Sequence, residues 1–320
     1  MASAREEVDS AGFDILTFVP LFWISFSVIF FFLCLLVKIP NIPPAIWDIM
    51  TFGKANVWGA RRARFSIEKI ILLPKRWFWH FYLLTIVTNG YILWLVVDCF
   101  FLGGSAPQWY ITLLKLCTYY PVKEPSASHL SVLLAIAAIT IQGVRRLYEC
   151  FFVSTYSNST MHVAHYLLGV FFYPLTGLTV LTEGPDLSLE VPFESFSEML
   201  HKQLAWYHIA GTVMFLWASI HHYRAHVIFA NLRKGDKDSQ AHKIPYGDWF
   251  EIVSCPHYLS EVLIYVSLVV TLGGYHLLAY AMLAFVVTNQ VGCGLTSHQW
   301  YQTKFEDYPK SRKAIIPWIL

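Results

Sequence analysis

Apolar runs about as long as a bilayer is thick recur along the whole chain. A helix rises about 1.5 Å per residue, so roughly 20 apolar residues are needed to cross the hydrocarbon core. Runs of that kind occupy 18–37, 81–102, 130–153, 163–181 and 205–220. A longer stretch from 261 to 296 contains Gly273-Gly274, a helix-breaking pair that divides it into 261–273 and 275–296. The pattern predicts an all-α integral membrane protein of about seven transmembrane helices, a single domain over 1–320. With 56% hydrophobic and 14% charged residues, the chain has too little charge to clothe a water-soluble globule of its size. The same proportions exclude a disordered chain, a fibrous one and a disulfide-stapled secreted module. Six cysteines without a CxxC, most of them in or beside apolar runs, read as buried thiols.

Seven spans place the two termini on opposite faces, and Lys and Arg in alternate loops tell the faces apart. Segments 38–79, 223–260 and 304–320 carry 8, 5 and 4 of these residues, whereas 1–17, 103–129 and 182–204 carry 1, 2 and 1. The first set and the C-terminus are therefore expected in the cytosol. The acidic loop with Glu183, Asp186, Glu190, Glu194 and Glu198 is expected in a lumen. The sequon Asn158-Ser159-Thr160 falls on the cytosolic side of this arrangement, where it is expected to stay unglycosylated. Residues 1–14 set Arg5 against Glu6, Glu7, Asp9 and Asp14, unlike the basic start of a cleaved signal peptide, so the first run is expected to persist as an anchor. A net charge of +2 supplies no basic field for nucleic acid, and no obligate protein partner is implied.

Ionisable residues inside apolar runs are costly and tend to serve function. Arg145, Arg146 and Glu149 lie within the third run, and Arg145 and Glu149 are spaced to pair along one helix face. One reading is a helix end with snorkelling arginines and an internal ion pair. The other is a cytosolic-side pocket, with arginine for a phosphate and Glu149 or Tyr148 near the chemistry. Histidines cluster as His162/His165 and His221/His222/His226. One HxxxH with no HxxHH falls short of a di-iron box, so His222 and His226 are expected to hydrogen-bond a ligand or a neighbouring helix, and no metal is assigned.

The loop 223–260 joins Arg224, Arg233, Lys234, Lys237 and Lys243 to Trp249, Phe250 and Tyr258, and the tail adds Lys304, Lys310, Arg312 and Lys313. Such a surface either meets anionic lipid headgroups or holds a phosphorylated cofactor, with arginine on phosphate and aromatic rings on a base. No GxGxxG stands between a strand and a helix. Gly292-Cys-Gly294 lies inside the last apolar run and reads as a helix-packing feature. A dinucleotide would have to be held by transmembrane helices and cytosolic loops.

The ending Ser297-His-Gln-Trp-Tyr301-Gln-Thr-Lys-Phe-Glu-Asp-Tyr308-Pro-Lys-Ser-Arg-Lys-Ala-Ile-Ile-Pro317 resembles the C-terminal signature of the steroid 5-alpha-reductase family. Lys243-Ile-Pro-Tyr-Gly-Asp-Trp-Phe-Glu-Ile-Val-Ser-Cys-Pro-His-Tyr-Leu-Ser-Glu261 is similar to the family's other cytosolic signature, so the resemblance covers 206–320. Leu73-Pro-Lys-Arg-Trp-Phe-Trp-His-Phe-Tyr82 and Arg145-Arg-Leu-Tyr-Glu-Cys-Phe-Phe-Val resemble the polyprenol-reducing branch more than the steroid branch. The resemblance implies a multi-pass reductase of the endoplasmic reticulum membrane that takes NADPH from the cytosol and a lipid substrate from the bilayer. Carried over by motif, Arg233, His298 and Tyr301 would contact the cofactor and Glu261 would support its nicotinamide or ribose end. Arg146, His222, His226, Lys243 and His257 would complete the cofactor site. His222, His226 and His257 stand where steroid members carry Asn, Asp and Asn, and Arg146 stands at the position of their catalytic tyrosine. Glu68 falls where the family's substrate-polarising glutamate would sit.

Hydride is a nucleophile, and an isolated or allylic alkene offers no place for the displaced electron pair. A conjugated aldehyde does. The species reduced is therefore expected to be polyprenal, the enal, with polyprenol as its precursor toward dolichol and protein N-glycosylation. The carbonyl oxygen would need a donor as its negative charge grows, and the candidates are Tyr301, Tyr148, Glu68 and Glu149. The competing substrates are a 4-ene-3-keto steroid and an enoyl-CoA. The latter enzyme would carry a ubiquitin-like N-terminal domain, for which the residues before the first run are too few. An isoprenylcysteine methyltransferase and a non-enzymatic isoprenoid carrier are the other classes, and the tail signature argues against both.

Overall fold

The computed structural model describes residues 17–36, 72–122, 124–156, 160–189, 195–233 and 242–320. Nine α-helices run through the described residues: α1 (Phe18–Leu36), α2 (Trp79–Val97), α3 (Gln108–Cys117), α4 (His129–Tyr148), α5 (Val163–Thr182), α6 (Phe196–Gln203), α7 (Trp206–Arg233), α8 (Pro256–Thr271) and α9 (Leu277–Lys304). Among the described residues, each of the seven apolar runs is helical over most of its length. Five of these helical segments, at 18–36, 75–102, 129–153, 163–182 and 277–304, are long and apolar enough to cross a membrane. The helix α7 is 28 residues long, but its second half carries His221, His222, Arg224 and His226. At 16 residues, α8 is shorter than a bilayer core requires. The expected break at Gly273-Gly274 is present, with φ of 80° and 77°. Two successive left-handed residues form a tight turn that only glycine enters without a steric cost.

Lipid is as apolar as leucine, so these helices associate through close packing and buried polar contacts more than through a hydrophobic driving force. The pairs α7/α8, α1/α9 and α2/α4 are the most extensive. Gly211 lets α7 lie directly on Ser267 and Thr271 of α8. On α9, a Cβ at Gly292 would stand 2.6 Å from Cys34 Sγ of α1, and a side chain at Gly294 would collide with Ile315 of the tail. The Gly292-Cys-Gly294 step is thus a packing surface on both sides of α9. Where α1 meets the bundle, Trp23 donates to Thr179 Oγ1 (2.8 Å), and Phe22, Phe26, Phe30, Phe172 and Phe285 close around it. Phe32, Val87, Trp94, Val144 and Leu216 face outward, which is where the surplus of apolar composition goes.

One departure from an all-helical fold sits at the end of the bundle carrying the basic loops. Leu72–Pro74 (β1) and Thr160–His162 (β2) form a two-stranded antiparallel ladder. It ties the start of α2 to the start of α5, so two helices that run in the same direction are held together at one rim. Helix-length periodicity cannot reveal pairing between three-residue strands nearly ninety positions apart. All six cysteines are free, with Cys34 and Cys117 half-buried and the other four buried.

Candidate active site

The third run ends in a way that builds the site. α4 passes into a π-helical turn, Glu149–Val153, and turns of this kind recur at functional positions because they re-aim side chains. Arg145, Arg146 and Glu149 leave this junction toward the bundle interior. The Glu149 carboxylate is fully buried and is gripped by both guanidinium groups, one on each oxygen, with His226 Nδ1 at 2.6 Å. Arg145 reaches on to Gln142 Oε1 (2.7 Å) and His222 Nδ1 (2.9 Å), and Gln142 Nε2 donates to Glu261 Oε2 (3.4 Å). His222 Nδ1 lies 3.4 Å from that same Glu261 oxygen. Arg146 extends the other way, donating from Nε (3.2 Å) and Nη2 (2.9 Å) to the Tyr82 hydroxyl. Two arginines thus face two glutamates across three helices, and the balance of charge is what lets the group remain at membrane depth.

Beside this network lies a cavity of about 320 Å³. Arg146, His222, His226, His257 and Glu261 give it a charged and imidazole side, and Phe81, Leu168, Phe172, Phe285 and Val286 an apolar one, with the amides of Asn289 and Gln290 next to Phe285 and Val286 on α9. Tyr82, Tyr173, Tyr258 and Tyr265 line it as well, and Lys75, Met161 and His165 bring it up to the ladder. The pairing of one charged and one apolar wall suits a ligand with a polar head on an apolar chain.

A second cluster is built by the C-terminal tail. Ser254 N–H donates to Lys313 O (2.8 Å) and Cys255 N–H to Ala314 O (3.0 Å), which straps the tail against the start of α8. Ser254 Oγ then sits 2.6 Å from both His298 Nδ1 and the Tyr308 hydroxyl. Burial pushes the Tyr308 phenol above its ordinary pKa. The Tyr301 ring stacks on Tyr308 at 5.2 Å and 10°. Arg312 is buried between the rings of Tyr246 and Tyr308 and donates to Pro245 O (2.9 Å), while its Nη2 makes no hydrogen bond. Arg233, exposed at the end of α7, donates to Thr155 O (2.7 Å).

A profile of the 3-oxo-5-alpha-steroid 4-dehydrogenase family matches residues 188–320. The chain is 37% identical to the polyprenal reductase of Mus musculus over 97% of its length and 98% of the relative's. It belongs to the steroid 5-alpha-reductase family. The polyprenal reductase of Homo sapiens is 37% identical over 85% of each chain, and that of Danio rerio is 35% identical over 96% of this chain and all of the relative.

The residues that family resemblance singles out fall into three groups. Arg146, His222, His226, His257 and Glu261 line the cavity, with Glu149 directly behind Arg146 and His226. His298 and Tyr301 belong to the tail cluster, Arg233 bonds Thr155 and reaches Tyr301 through its charge, and Lys243 is exposed on the loop leading into the cluster. Tyr148 is half exposed and packs on Phe152, on the face of α4 away from the cavity. Glu68, like Asn158, lies outside the described residues. Tyr82, Gln142, Tyr173 and Ser254 escaped the sequence reading. Tyr82 carried one usable signal, since a tyrosine in the first turn of an apolar span is a polar group at depth.

Proposed function

We propose that the protein reduces the α-isoprene double bond of polyprenal with NADPH, giving dolichal on the route to dolichol and so supporting protein N-glycosylation. The observation that carries this reading is the two-walled cavity, which offers charged and imidazole groups to a polar head and a phenylalanine-lined side to an isoprenoid chain. Conjugation supports it too: in an enal the electron pair displaced by hydride moves onto oxygen, beside the Arg146 and Tyr82 wall.

Family membership implies a nicotinamide cofactor, and the residues present fit a phosphorylated one. Arg312 has one end of its guanidinium anchored on Pro245 and a buried Nη2 to spare, and Arg233 stands exposed nearby for a phosphate. Tyr301, Trp300 and Tyr308 supply ring faces, and Glu261, His222, His226 and His257 would hold the nicotinamide end at the cavity. Bound there, NADPH supplies the hydride. The chain's own part is to orient the enal, keep water off the apolar side and hold a donor against the carbonyl oxygen.

The protein is a multi-pass membrane protein. The density of Lys and Arg at the site end favours a cytosolic C-terminus and cofactor access from the cytosol, with residence in the endoplasmic reticulum and bilayer lipids as neighbours. Residues 1–320 are read as one membrane domain whose 206–320 part carries most of the cofactor site. The test is NADPH oxidation by the detergent-purified protein offered polyprenal, polyprenol, a 4-ene-3-keto steroid and an enoyl-CoA in parallel. Turnover of polyprenal alone is expected. Turnover of the steroid alone would move the chain to the steroid branch, and silence on all four would reject the reductase reading.

A further inference from the structure

We infer that Tyr82 is the catalytic acid, donating its phenolic proton to the carbonyl oxygen of the enal while Arg146 holds the phenolic oxygen from behind. The inference rests on the reductase reading above and assigns its proton donor.

Tyr82 is nearly buried, yet its side chain forms part of the cavity wall. Its oxygen accepts two hydrogen bonds from one guanidinium, at 3.2 and 2.9 Å. A phenol has one proton and an oxygen that accepts, so an oxygen occupied by two arginine donors has its own O–H turned elsewhere. Around it stand Tyr173 from α5, to which it is also hydrogen-bonded, and Glu261 and Tyr265 from α8, and all three line the cavity with it. The guanidinium is itself held in place, because Glu149 takes its Nη1 and His226 Nδ1 lies 2.6 Å from that nitrogen. A fixed cation against a phenolic oxygen favours the phenolate that proton transfer leaves behind.

Other groups suggested by motif are less well placed. Glu149 is gripped by two arginines and serves as an acceptor. Tyr148 turns away from the cavity, and Tyr301 is engaged with Tyr308 in the tail cluster. Tyr173, Tyr258 and Tyr265 share the cavity wall, but it is Tyr82 that the guanidinium reaches.

The electron count closes. Hydride from the reduced nicotinamide forms a C–H bond at the β carbon, the α,β π pair shifts to form the enol double bond, and the carbonyl π pair moves onto oxygen. Tyr82 gives that oxygen its proton and becomes a phenolate paired with Arg146. The enol then collapses: its α carbon takes a proton that comes from solvent, the carbonyl re-forms, and the enol O–H proton returns to Tyr82. One hydride and one solvent proton are consumed for each double bond.

Two readouts on Tyr82→Phe test this. In protein without nicotinamide, the carbonyl stretch of bound farnesal, a short isoprenoid enal, is expected at lower wavenumber in the unmodified protein than in Tyr82→Phe. With NADPH and polyprenal, kcat is expected to fall about 10²- to 10³-fold, in the range of lost general acid catalysis, with KM for NADPH within about twofold. Equal carbonyl frequencies, or a kcat within about threefold of the unmodified protein, would overturn the assignment. If the unmodified protein neither binds nor reduces the enal, the reductase reading fails instead. Should Tyr82→Phe not fold, Tyr82→3-fluorotyrosine keeps the shape and the hydroxyl. Its more acidic phenol is expected to move the alkaline limb of kcat to lower pH, and an unmoved limb counts against Tyr82. Arg146→Lys, which keeps a cation but loses the two-point hold, tests the positioning role. It is expected to return the farnesal frequency toward the Tyr82→Phe value, and an unchanged frequency removes Arg146 from that role.

Discussion

Two buried glutamates, one at each end of the bundle, meet opposite fates. Glu149, at the basic end, is held by charged and imidazole side chains, and its partners Arg146 and His226 border an open cavity. Glu183, just past the end of α5, is held by the Tyr119 and Ser126 hydroxyls and by the backbone N–H groups of Leu277 and Leu278. Those N–H groups are unpaired donors at the start of α9, so Glu183 works as a cap supplied by another helix. His276, the N-cap residue of α9, lies 3.4 Å from it. Both carboxylates are satisfied and both link several elements. The difference is that Glu149's partners have a second side facing empty space, whereas Glu183's partners spend their capacity on the fold. A buried acid signals function when its partners retain donors for a ligand, and burial alone does not make that distinction.

The contrast can be broken by the same substitution at both ends. Glu149→Gln removes the charge that balances Arg145 and Arg146. Stability is expected to fall by about 3–5 kcal/mol, the cost of leaving buried charge uncompensated, and the protein that remains folded should lose its turnover. Glu183→Gln loses charge-assisted hydrogen bonds and should cost about 1–3 kcal/mol, with kcat per folded molecule unchanged. Thermal unfolding in detergent and active-site-normalised kinetics measure the pair. If Glu183→Gln lowered kcat in the folded fraction as much as Glu149→Gln, the division between a chemical and a structural end would collapse.

Within the basic end, the tail cluster should separate from the cavity. Arg233→Ala is expected to raise KM for NADPH by about 10- to 100-fold, as for a lost charge-assisted phosphate contact, and KM for NADH by less than about threefold. An equal rise for both cofactors would remove Arg233 from the 2′-phosphate. His298→Gly also removes a contact of Ser254, and should raise KM for NADPH by roughly tenfold, about the worth of one hydrogen bond in a cofactor site. Unchanged kinetics would place His298 outside the site.

The bundle was legible because runs of about 20 apolar residues have one low-energy outcome in lipid. The i,i+4 spacing likewise foretold the Arg145–Glu149 pair, and HxxxH put His222 and His226 on one face. What escaped were relations between segments far apart in sequence. No local pattern in residues 73–82 says that a guanidinium from α4 will stand behind the Tyr82 hydroxyl. The ladder of β1 with β2 and the strap of Ser254 and Cys255 on the tail are likewise backbone pairings between distant positions. Tyr148 illustrates the converse. It is adjacent to Glu149 in sequence, but one step around the helix turns it to the outside.

Acid should loosen the two ends unequally, and the direction follows from the groups around Glu183. Burial opposes its ionisation, but His276, Tyr119, the Leu278 N–H and Ser126 outweigh that and hold its carboxyl below the ordinary value. A carboxyl depressed in the folded state adds stability at neutral pH, and that stability is lost as pH falls through the folded pKa, below the usual range near 4.3. Burial also holds the His276 imidazole below its ordinary value. Its share of stability is present above about pH 6.5 and declines as pH falls below that, because the unfolded chain then binds the proton that the fold excludes. Lowering pH from 7.5 should therefore lower the unfolding temperature first through His276 and then through Glu183. Removing the charge in Glu183→Gln should erase the lower of the two steps and leave the upper one. An acid profile in Glu183→Gln that matches the unmodified protein would mean that the far end is not where acid acts, and that the charged network around Glu149 carries the pH sensitivity as well as the chemistry.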